Sequence, residues 1–176
     1  NFLKERTLIV NGVSKAYAMT GWRLGYAGGP KKLINQINKI QSQSTTHTSS
    51  ISQAAAIEAL NNSEEFINKN KKVYQERRDI VFSKLKNFDG FDVFLPQGSF
   101  YIYVCCNNLM NKKKEDGTLI NNDIEFSDYL LDEAGVAVVP GEAFGCSNYF
   151  RTSFATSKSN LEKGCDKIIE ASKKLK

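Results

Sequence analysis

A run of about 25 residues that begins at Ser63 has the pattern of one long amphipathic helix, and this element limits the possible folds more than any other. Ser63 can cap its N-terminus, and Glu64 and Glu65 occupy the first turn, where the helix dipole favours acidic side chains. At 1.5 Å per residue the helix would span about 37 Å, enough to bridge two domains. We therefore expect a domain boundary inside it, between residues 1–70 and 71–176.

The segments on both sides of this helix alternate between strand and helix patterns. The predicted strands are 7–10, 22–27, 91–95, 99–105, 136–139 and 149–154. The other predicted helices begin at Pro30 and Ser50 or cover 124–134 and 159–175, and the polar stretch 107–122 is predicted as an exposed loop. The predicted fold class is therefore α/β, in a chain long enough for one domain or one and a fraction.

Charge and hydropathy narrow the classes of partner. The 24 basic residues exceed the 19 acidic ones and give a net charge of +5, so nucleic acid has to be considered. The only dense basic run, 112–114, is followed at once by Glu115 and Asp116, and the other lysines are scattered. This pattern favours a solvated surface over a nucleic-acid partner. No stretch of about 18 apolar residues predicts a membrane span.

Cysteine and histidine usage argues against a metal site. The four cysteines, at 105, 106, 146 and 165, form no C-x-x-C pair, and the chain has one histidine. Cys105 and Cys106 would point to opposite faces of a strand, so a disulfide framework is not indicated. We expect reduced cysteines, no metal, and a cytoplasmic protein.

The segment 12–26 contains the candidate chemistry. It places Lys15 in the loop after a strand, next to the hydroxyl of Ser14 and eight residues before a second cation, Arg23. A partly desolvated amine near a cation is the type of group that acts as a Schiff-base nucleophile. Arg23 and Ser14 could hold a phosphate through charge-assisted hydrogen bonds. On spacing alone, a solvated surface lysine is the commoner interpretation.

The run 11–30 resembles the pyridoxal-phosphate attachment signature of the class I aminotransferases, especially the bacterial aspartate aminotransferase branch. The residues at the family's spacing are Gly12, Ser14, Lys15, Gly21, Arg23 and Gly25. The resemblance implies that Lys15 bonds the cofactor as a Schiff base and then moves the proton at the substrate Cα. It also implies that Ser14 and Arg23 hold the cofactor phosphate.

Three later motifs extend the resemblance towards the C-terminus. They are the family's P-x-G-x-F-Y motif at 96–101, its VPG-x-x-FG turn at 139–145, and the segment 150–155 that contains Arg151. In the family the matching arginine binds the substrate α-carboxylate. A planar guanidinium suits that role because two parallel N–H donors fix both oxygens.

The resemblance as a whole implies the C-terminal part of a fold type I pyridoxal-phosphate-dependent transferase. Residues 1–70 would be the end of the large cofactor-binding domain, and 71–176 the small α+β domain. The implied function is transfer of an amino group from an L-amino acid, with aspartate favoured, to a 2-oxo acid such as 2-oxoglutarate. The implied cofactor is pyridoxal 5′-phosphate and the implied assembly a homodimer.

Alternatives remain open at this level. The resemblance covers nearly all 176 residues but only the C-terminal part of a family whose members are more than twice as long, so we expect a fragment that is almost inactive alone. An aromatic or prephenate aminotransferase of the same family is one alternative. A non-catalytic fragment or interaction module is another.

Overall fold

The computed structural model describes residues 2–176, which form two compact units. The first unit ends at Lys71 and the second is Lys72–Lys176. The boundary lies inside a continuous helix, Glu64–Lys86, which is the long helix expected from the sequence.

The first unit combines a two-stranded antiparallel sheet with helices. Its elements are β1 (Ile9–Gly12), β2 (Gly25–Gly28), α1 (Lys31–Gln43), α2 (Ser50–Asn62) and the beginning of α3 (Glu64–Lys86). Strand β1 pairs with β2 so that Ile9 lies opposite Gly28 and Gly12 opposite Gly25. A small core of Val13, Met19 and Ala56 joins the β1–β2 loop to α2.

The strand predicted at 22–27 is misplaced. Residues Thr20–Trp22 form a 3₁₀ turn, and Arg23 has a left-handed backbone with φ 51°. Because a left-handed residue cannot continue a strand, β2 begins only at Gly25. The sequence pattern of alternating large and small residues concealed this turn.

The second unit contains a four-stranded antiparallel sheet, and residues of three helices share its core. Its elements after α3 are β3 (Asp92–Val93), β4 (Tyr101–Cys105), β5 (Lys112–Lys113), β6 (Leu119–Ile120), α4 (Asp123–Ala134), β7 (Val139–Pro140), β8 (Tyr149–Ser153) and α5 (Lys158–Lys173). The strand order in the main sheet is β3-β4-β8-β7. Its core includes Val81, Ile102, Phe126, Phe150 and Ile168.

Alternation along the two central strands separates this core from the other face of the sheet. In β4, Ile102 and Val104 are fully buried, whereas Tyr101 and Tyr103 are only half-buried. In β8, Phe150 is buried and Arg151 is half-buried. Because successive side chains point to opposite faces, the tyrosines and Arg151 share the face away from the core. Tyr103 lies directly opposite Arg151 in the pairing of β4 with β8.

Most of the segment 107–122 is exposed, as predicted, but it is not a loop throughout. It contains a hairpin in which β5 pairs with β6, and Ile120 is fully buried in the core. The turn is closed by the Lys114 amide, which donates to the Thr118 carbonyl at 2.8 Å, and Gly117 takes a φ of 87°. The pair Asp116-Gly117 is a recognised hairpin signal that the high polarity of the segment obscured.

The strand predicted at 136–139 is reduced to Val139–Pro140. Gly135 ends α4 in the left-handed conformation with φ 63°, and the Val136 amide donates to the Leu130 carbonyl. This amide is therefore used in the helix cap and is unavailable to the sheet. The strand predicted at 91–95 is likewise limited to Asp92–Val93.

All four cysteines are free thiols in widely different environments. Burial raises the pKa of the Cys106 thiol to about 12 and that of Cys165 to about 11. Cys146 is exposed, and Cys105 lies between these extremes. Within residues 2–176, no helix combines the length and the apolar character needed to cross a membrane.

Replacing Ile120 with alanine should destabilise the chain by about 2–5 kcal/mol, because it removes a fully buried branched side chain and leaves a cavity. Leu119 is the matched control, since it precedes Ile120 in β6 but is 40% exposed, and Leu119→Ala should cost about 0.5 kcal/mol. Urea denaturation measures both changes. Equal losses of unfolding free energy from the two substitutions would contradict the burial of Ile120 in the core.

Candidate functional site

The loop between β1 and β2 is held closed at its base. The Val13 amide donates to the Leu24 carbonyl at 3.4 Å, directly beyond the last strand pair, Gly12 with Gly25. Both glycines are needed because the backbones are close: an added Cβ at Gly12 would lie 3.2 Å from the Leu24 oxygen, and one at Gly25 would lie 3.2 Å from the Asn11 oxygen. The loop ends are therefore fixed to each other by backbone alone.

Three of the predicted site residues lie in this loop. Ser14 is half-buried and follows the fully buried Val13, while Lys15 and Arg23 are exposed. The Lys15 carbonyl accepts from the Ala18 amide at 3.2 Å, which fixes the backbone after Lys15 in a turn. The closed loop thus presents a hydroxyl, a primary amine and a guanidinium.

The conformation of Arg23 is set by its own side chain as well as its backbone. Its Nη1 donates to the Thr20 carbonyl at 3.0 Å, across the 3₁₀ turn Thr20–Trp22. A left-handed conformation is uncommon in residues other than glycine, and such residues cluster at functional sites. The turn therefore fixes the direction in which this cation leaves the backbone.

The fourth predicted residue, Arg151, lies in the second unit at the centre of β8. Its guanidinium carbon is 4.1 Å from the centre of the Tyr101 ring and 4.2 Å from that of Phe144. A cation over an aromatic face is attracted by the ring quadrupole, with about 0.5–2 kcal/mol per contact depending on desolvation. Two rings thus hold the position and orientation of this side chain.

Arg151 also carries an unused hydrogen-bond donor. Its Nε is buried and has no hydrogen-bond partner, and among the residues that the structure describes no carboxylate lies within ion-pair distance of it. A buried donor without a partner costs free energy. An anionic ligand would satisfy both the donor and the charge, and a planar carboxylate matches the guanidinium best.

A pocket of about 410 Å³ lies beside Arg151. Its lining is Phe94, Leu95, Pro96, Ser99, Tyr101, Tyr103, Phe144, Tyr149 and Arg151. Arg151 is the only charged residue in this set, and five members are aromatic. Burial raises the pKa of Tyr103, although the nearby Arg151 charge opposes this shift, so its hydroxyl stays neutral.

Two loops complete the pocket wall. The turn Gly141–Phe144 brings in Phe144, and an added Cβ at Gly141 would lie 2.1 Å from the Cys146 oxygen, so only glycine fits there. On the other side, Nη1 of Arg78 donates to the Pro96 carbonyl at 3.2 Å and holds the loop after β3. Both loops coincide with motifs in the sequence.

Sequence reasoning missed the contributions of Tyr103 and Tyr149 to the pocket. The available signal was the alternation of β4 and β8, which puts both residues on the face of Arg151. Strand alternation did not indicate the ring contacts to Arg151, because those contacts depend on the path of the turn before β8. Among residues 2–176 no group of three or more histidine, cysteine or acidic side chains could hold a metal ion.

Comparison with known proteins places this geometry in a family. The family described as aminotransferase class I and II matches residues 2–168. A probable aspartate/prephenate aminotransferase of Rickettsia prowazekii is 51% identical over 169 residues, which are 96% of this chain and 42% of the relative. An aspartate aminotransferase of Rhizobium meliloti is 49% identical over 173 residues, 98% of this chain and 42% of that protein.

Solved structures of aspartate aminotransferases are also similar to this chain. The crystal structure of the aspartate aminotransferase from Rhizobium meliloti superposes with a TM-score of 0.96 at 49% identity, over 99% of this chain and 44% of that one. The Thermus thermophilus aspartate aminotransferase with maleate gives a TM-score of 0.85 at 37% identity, over 96% of this chain and 42% of that one. The chain thus spans about two fifths of the length of the relatives it matches. These matches confirm the predicted α/β fold and the family resemblance: the chain belongs to the aminotransferase class I and II family.

Proposed function

We propose that this chain is the C-terminal part of a pyridoxal 5′-phosphate-dependent aminotransferase, in which Lys15, Ser14 and Arg23 hold the cofactor and Arg151 binds the substrate carboxylate. The first unit would be the end of the large cofactor-binding domain, and the second the small domain. The observation that carries the proposal is Arg151, a guanidinium held between two rings with a buried, unpartnered Nε.

The donor set of the β1–β2 loop fits a phosphorylated aldehyde. Such a ligand needs a primary amine to bond its carbonyl carbon, and a cation and a hydroxyl to bind its phosphate. The loop supplies these as Lys15, Arg23 and Ser14, and the Val13–Leu24 hydrogen bond keeps its two ends together. When bound, the cofactor supplies an electron sink for the pair released from the substrate Cα.

The side chains themselves position the substrate and move a proton. Arg151 would fix both carboxylate oxygens and so set the direction of the Cα–H bond. Lys15 in its neutral form would take the proton from Cα and return it during the amino transfer, which is general acid–base catalysis by a positioned amine. The mostly apolar walls around Arg151 would strengthen its attraction for the carboxylate, because charges interact more strongly next to low-dielectric surface.

Aspartate with 2-oxoglutarate is the proposed substrate pair, supported by relatives named aspartate aminotransferase. A second candidate is an aromatic amino acid or prephenate. It is favoured by one observation, the five aromatic residues of the pocket, and by relatives named aspartate/prephenate aminotransferase.

Assembly and location belong to the same proposal. We infer a homodimer in the complete enzyme, from the family membership. A cytoplasmic location is supported by four cysteines that are all free thiols, since disulfides are rare in reducing compartments.

Lys15 should be labelled preferentially by pyridoxal 5′-phosphate. After incubation with the cofactor and reduction with borohydride, peptide mass spectrometry should locate the stable adduct on Lys15, because Arg23 and Ser14 raise the local concentration of the phosphate. Lys15→Arg should abolish the preferred adduct. Arg23→Gln should reduce it while leaving Lys15 in place.

Competition with inorganic phosphate provides the control for that labelling. Adducts on scattered surface lysines do not depend on a phosphate site and should persist, whereas labelling of Lys15 should fall. Labelling spread evenly over the 19 lysines of the chain would contradict the assignment of this loop.

Arg151→Lys should weaken the affinity of the chain for maleate by about tenfold or more, because an ammonium cannot donate two parallel hydrogen bonds to a carboxylate. Isothermal titration calorimetry measures the change. Arg77→Lys is the matched control: this arginine also lies over an aromatic ring, that of Tyr74 at 5.3 Å, but it does not line the pocket. Equal affinities for Arg151→Lys and the unsubstituted chain would overturn the role of Arg151.

A further inference from the structure

The carboxylate of Asp123 is buried next to the turn that carries Phe144. Asp123 is the first residue of α4 and is 1% exposed. Its Oδ2 accepts a hydrogen bond of 2.8 Å from the backbone amide of Glu142, the second residue of the turn Gly141–Phe144. A carboxyl side chain is rarely buried without a hydrogen-bond partner, and here the Glu142 amide is that partner.

Asp123 lies in a helix end whose backbone is tied down by capping contacts. The first turn of a helix carries the positive end of the helix dipole, and Asn122 caps α4 by accepting from the Glu125 amide at 2.9 Å. Ser127 Oγ donates to the Asp123 backbone carbonyl at 2.7 Å, which ties down the backbone of the same residue. The carboxylate is thus held rigidly by α4 and connects this helix to a turn 19 residues later.

The turn held by Asp123 is otherwise built from short backbone bonds. The Gly145 amide donates to the Glu142 carbonyl at 3.0 Å, and the Cys146 amide donates to the Gly141 carbonyl at 3.0 Å. These bonds fix the shape of the turn but connect it only to itself. The Asp123 bond joins it to α4, and the strand pair of Pro140 with Phe150 joins it to the sheet.

Phe144 is the last residue of that turn, and its ring covers one side of the Arg151 guanidinium at 4.2 Å. A shift of the turn would move this ring, whereas the second ring near the guanidinium, that of Tyr101, is fixed within β4. The position of the carboxylate-binding guanidinium therefore depends on how firmly the turn is attached to α4.

We propose that Asp123 is a positioning residue for the carboxylate site: its hydrogen bond to the Glu142 amide holds the turn Gly141–Phe144, and through the Phe144 ring it immobilises Arg151. The effect on ligand binding rests on the proposed function of Arg151, whereas the effect on the mobility of Arg151 does not. The two can therefore be measured separately.

The test uses the 176-residue chain with three substitutions. Asp123→Ala removes the acceptor, Asp123→Asn retains an acceptor oxygen of nearly the same shape, and Glu142→Pro removes the backbone donor from an exposed position of the turn. Asn122→Ala is the matched control, because it removes the cap of α4 and destabilises the same helix end without touching the carboxylate.

The first measurement is the ¹H–¹⁵N heteronuclear NOE of the Arg151 Nε–H, which reports the fast motion of this side chain. We expect a rigid Nε–H in the unsubstituted chain, in Asp123→Asn and in Asn122→Ala. A mobile Nε–H is expected in Asp123→Ala and Glu142→Pro. If Asp123→Ala does not fold, Glu142→Pro decides.

The second measurement is the affinity for maleate. Loss of one pre-ordered side chain should weaken binding about two- to tenfold in Asp123→Ala and Glu142→Pro, with much smaller changes in the other two variants. A rigid Arg151 in folded Asp123→Ala or Glu142→Pro would overturn the positioning role. Equal mobility in Asn122→Ala would also overturn it, since general destabilisation would then be the cause. Absence of maleate binding by the unsubstituted chain would instead contradict the proposed function, and the NOE values would still decide the role of Asp123.

Discussion

The pocket of the second unit depends on the contacts of the Arg151 guanidinium with two aromatic rings, those of Tyr101 and Phe144. Among the residues that the structure describes, no carboxylate lies within ion-pair distance of the Arg151 guanidinium, and its Nε is buried without a partner. Contacts with the rings of Tyr101 and Phe144 offset part of that cost. Tyr101 is delivered by a central strand and Phe144 by a glycine-dependent turn. The sheet and the turn together therefore hold the guanidinium in a fixed position, and pre-ordering of this kind lowers the entropic cost of binding a ligand.

The two units hold their cationic side chains in different ways. In the first unit the donors Ser14 and Arg23 lie on a loop that is closed by backbone contacts, with glycines at both ends where the chains approach. In the second unit the cation is Arg151, a residue of β8 whose guanidinium contacts the rings of Tyr101 and Phe144. In the proposed function the loop would bind the phosphorylated ring of the cofactor, and the strand residue would bind the carboxylate of the substrate.

The sequence predicts those parts of the molecule whose signals are local. The helix at 124–134 was confirmed as Asp123–Ala134, since its apolar spacing and its closing Gly135 act within a few residues. The motif that contains Lys15 and Arg23 is also a local signal, and both residues lie in the loop between β1 and β2. Features that depend on packing between segments distant in the sequence could not be predicted. They are the contact of the Phe144 ring with Arg151, the burial of Ile120 in a polar segment, and the hydrogen bond from the Glu142 amide to Asp123. Tyr103 and Tyr149 lie between these cases, because strand alternation gives their face but not the pocket they form.

The most direct test of the account is a crystal structure of this chain with maleate bound. We expect one carboxylate of the ligand to accept hydrogen bonds from Arg151 Nε and a second guanidinium nitrogen at about 2.7–2.9 Å. The rings of Tyr101 and Phe144 should remain at their present distances from the guanidinium, 4.1 and 4.2 Å. Maleate bound elsewhere, or an Arg151 that leaves the two rings to reach the ligand, would contradict a carboxylate site that is formed in advance.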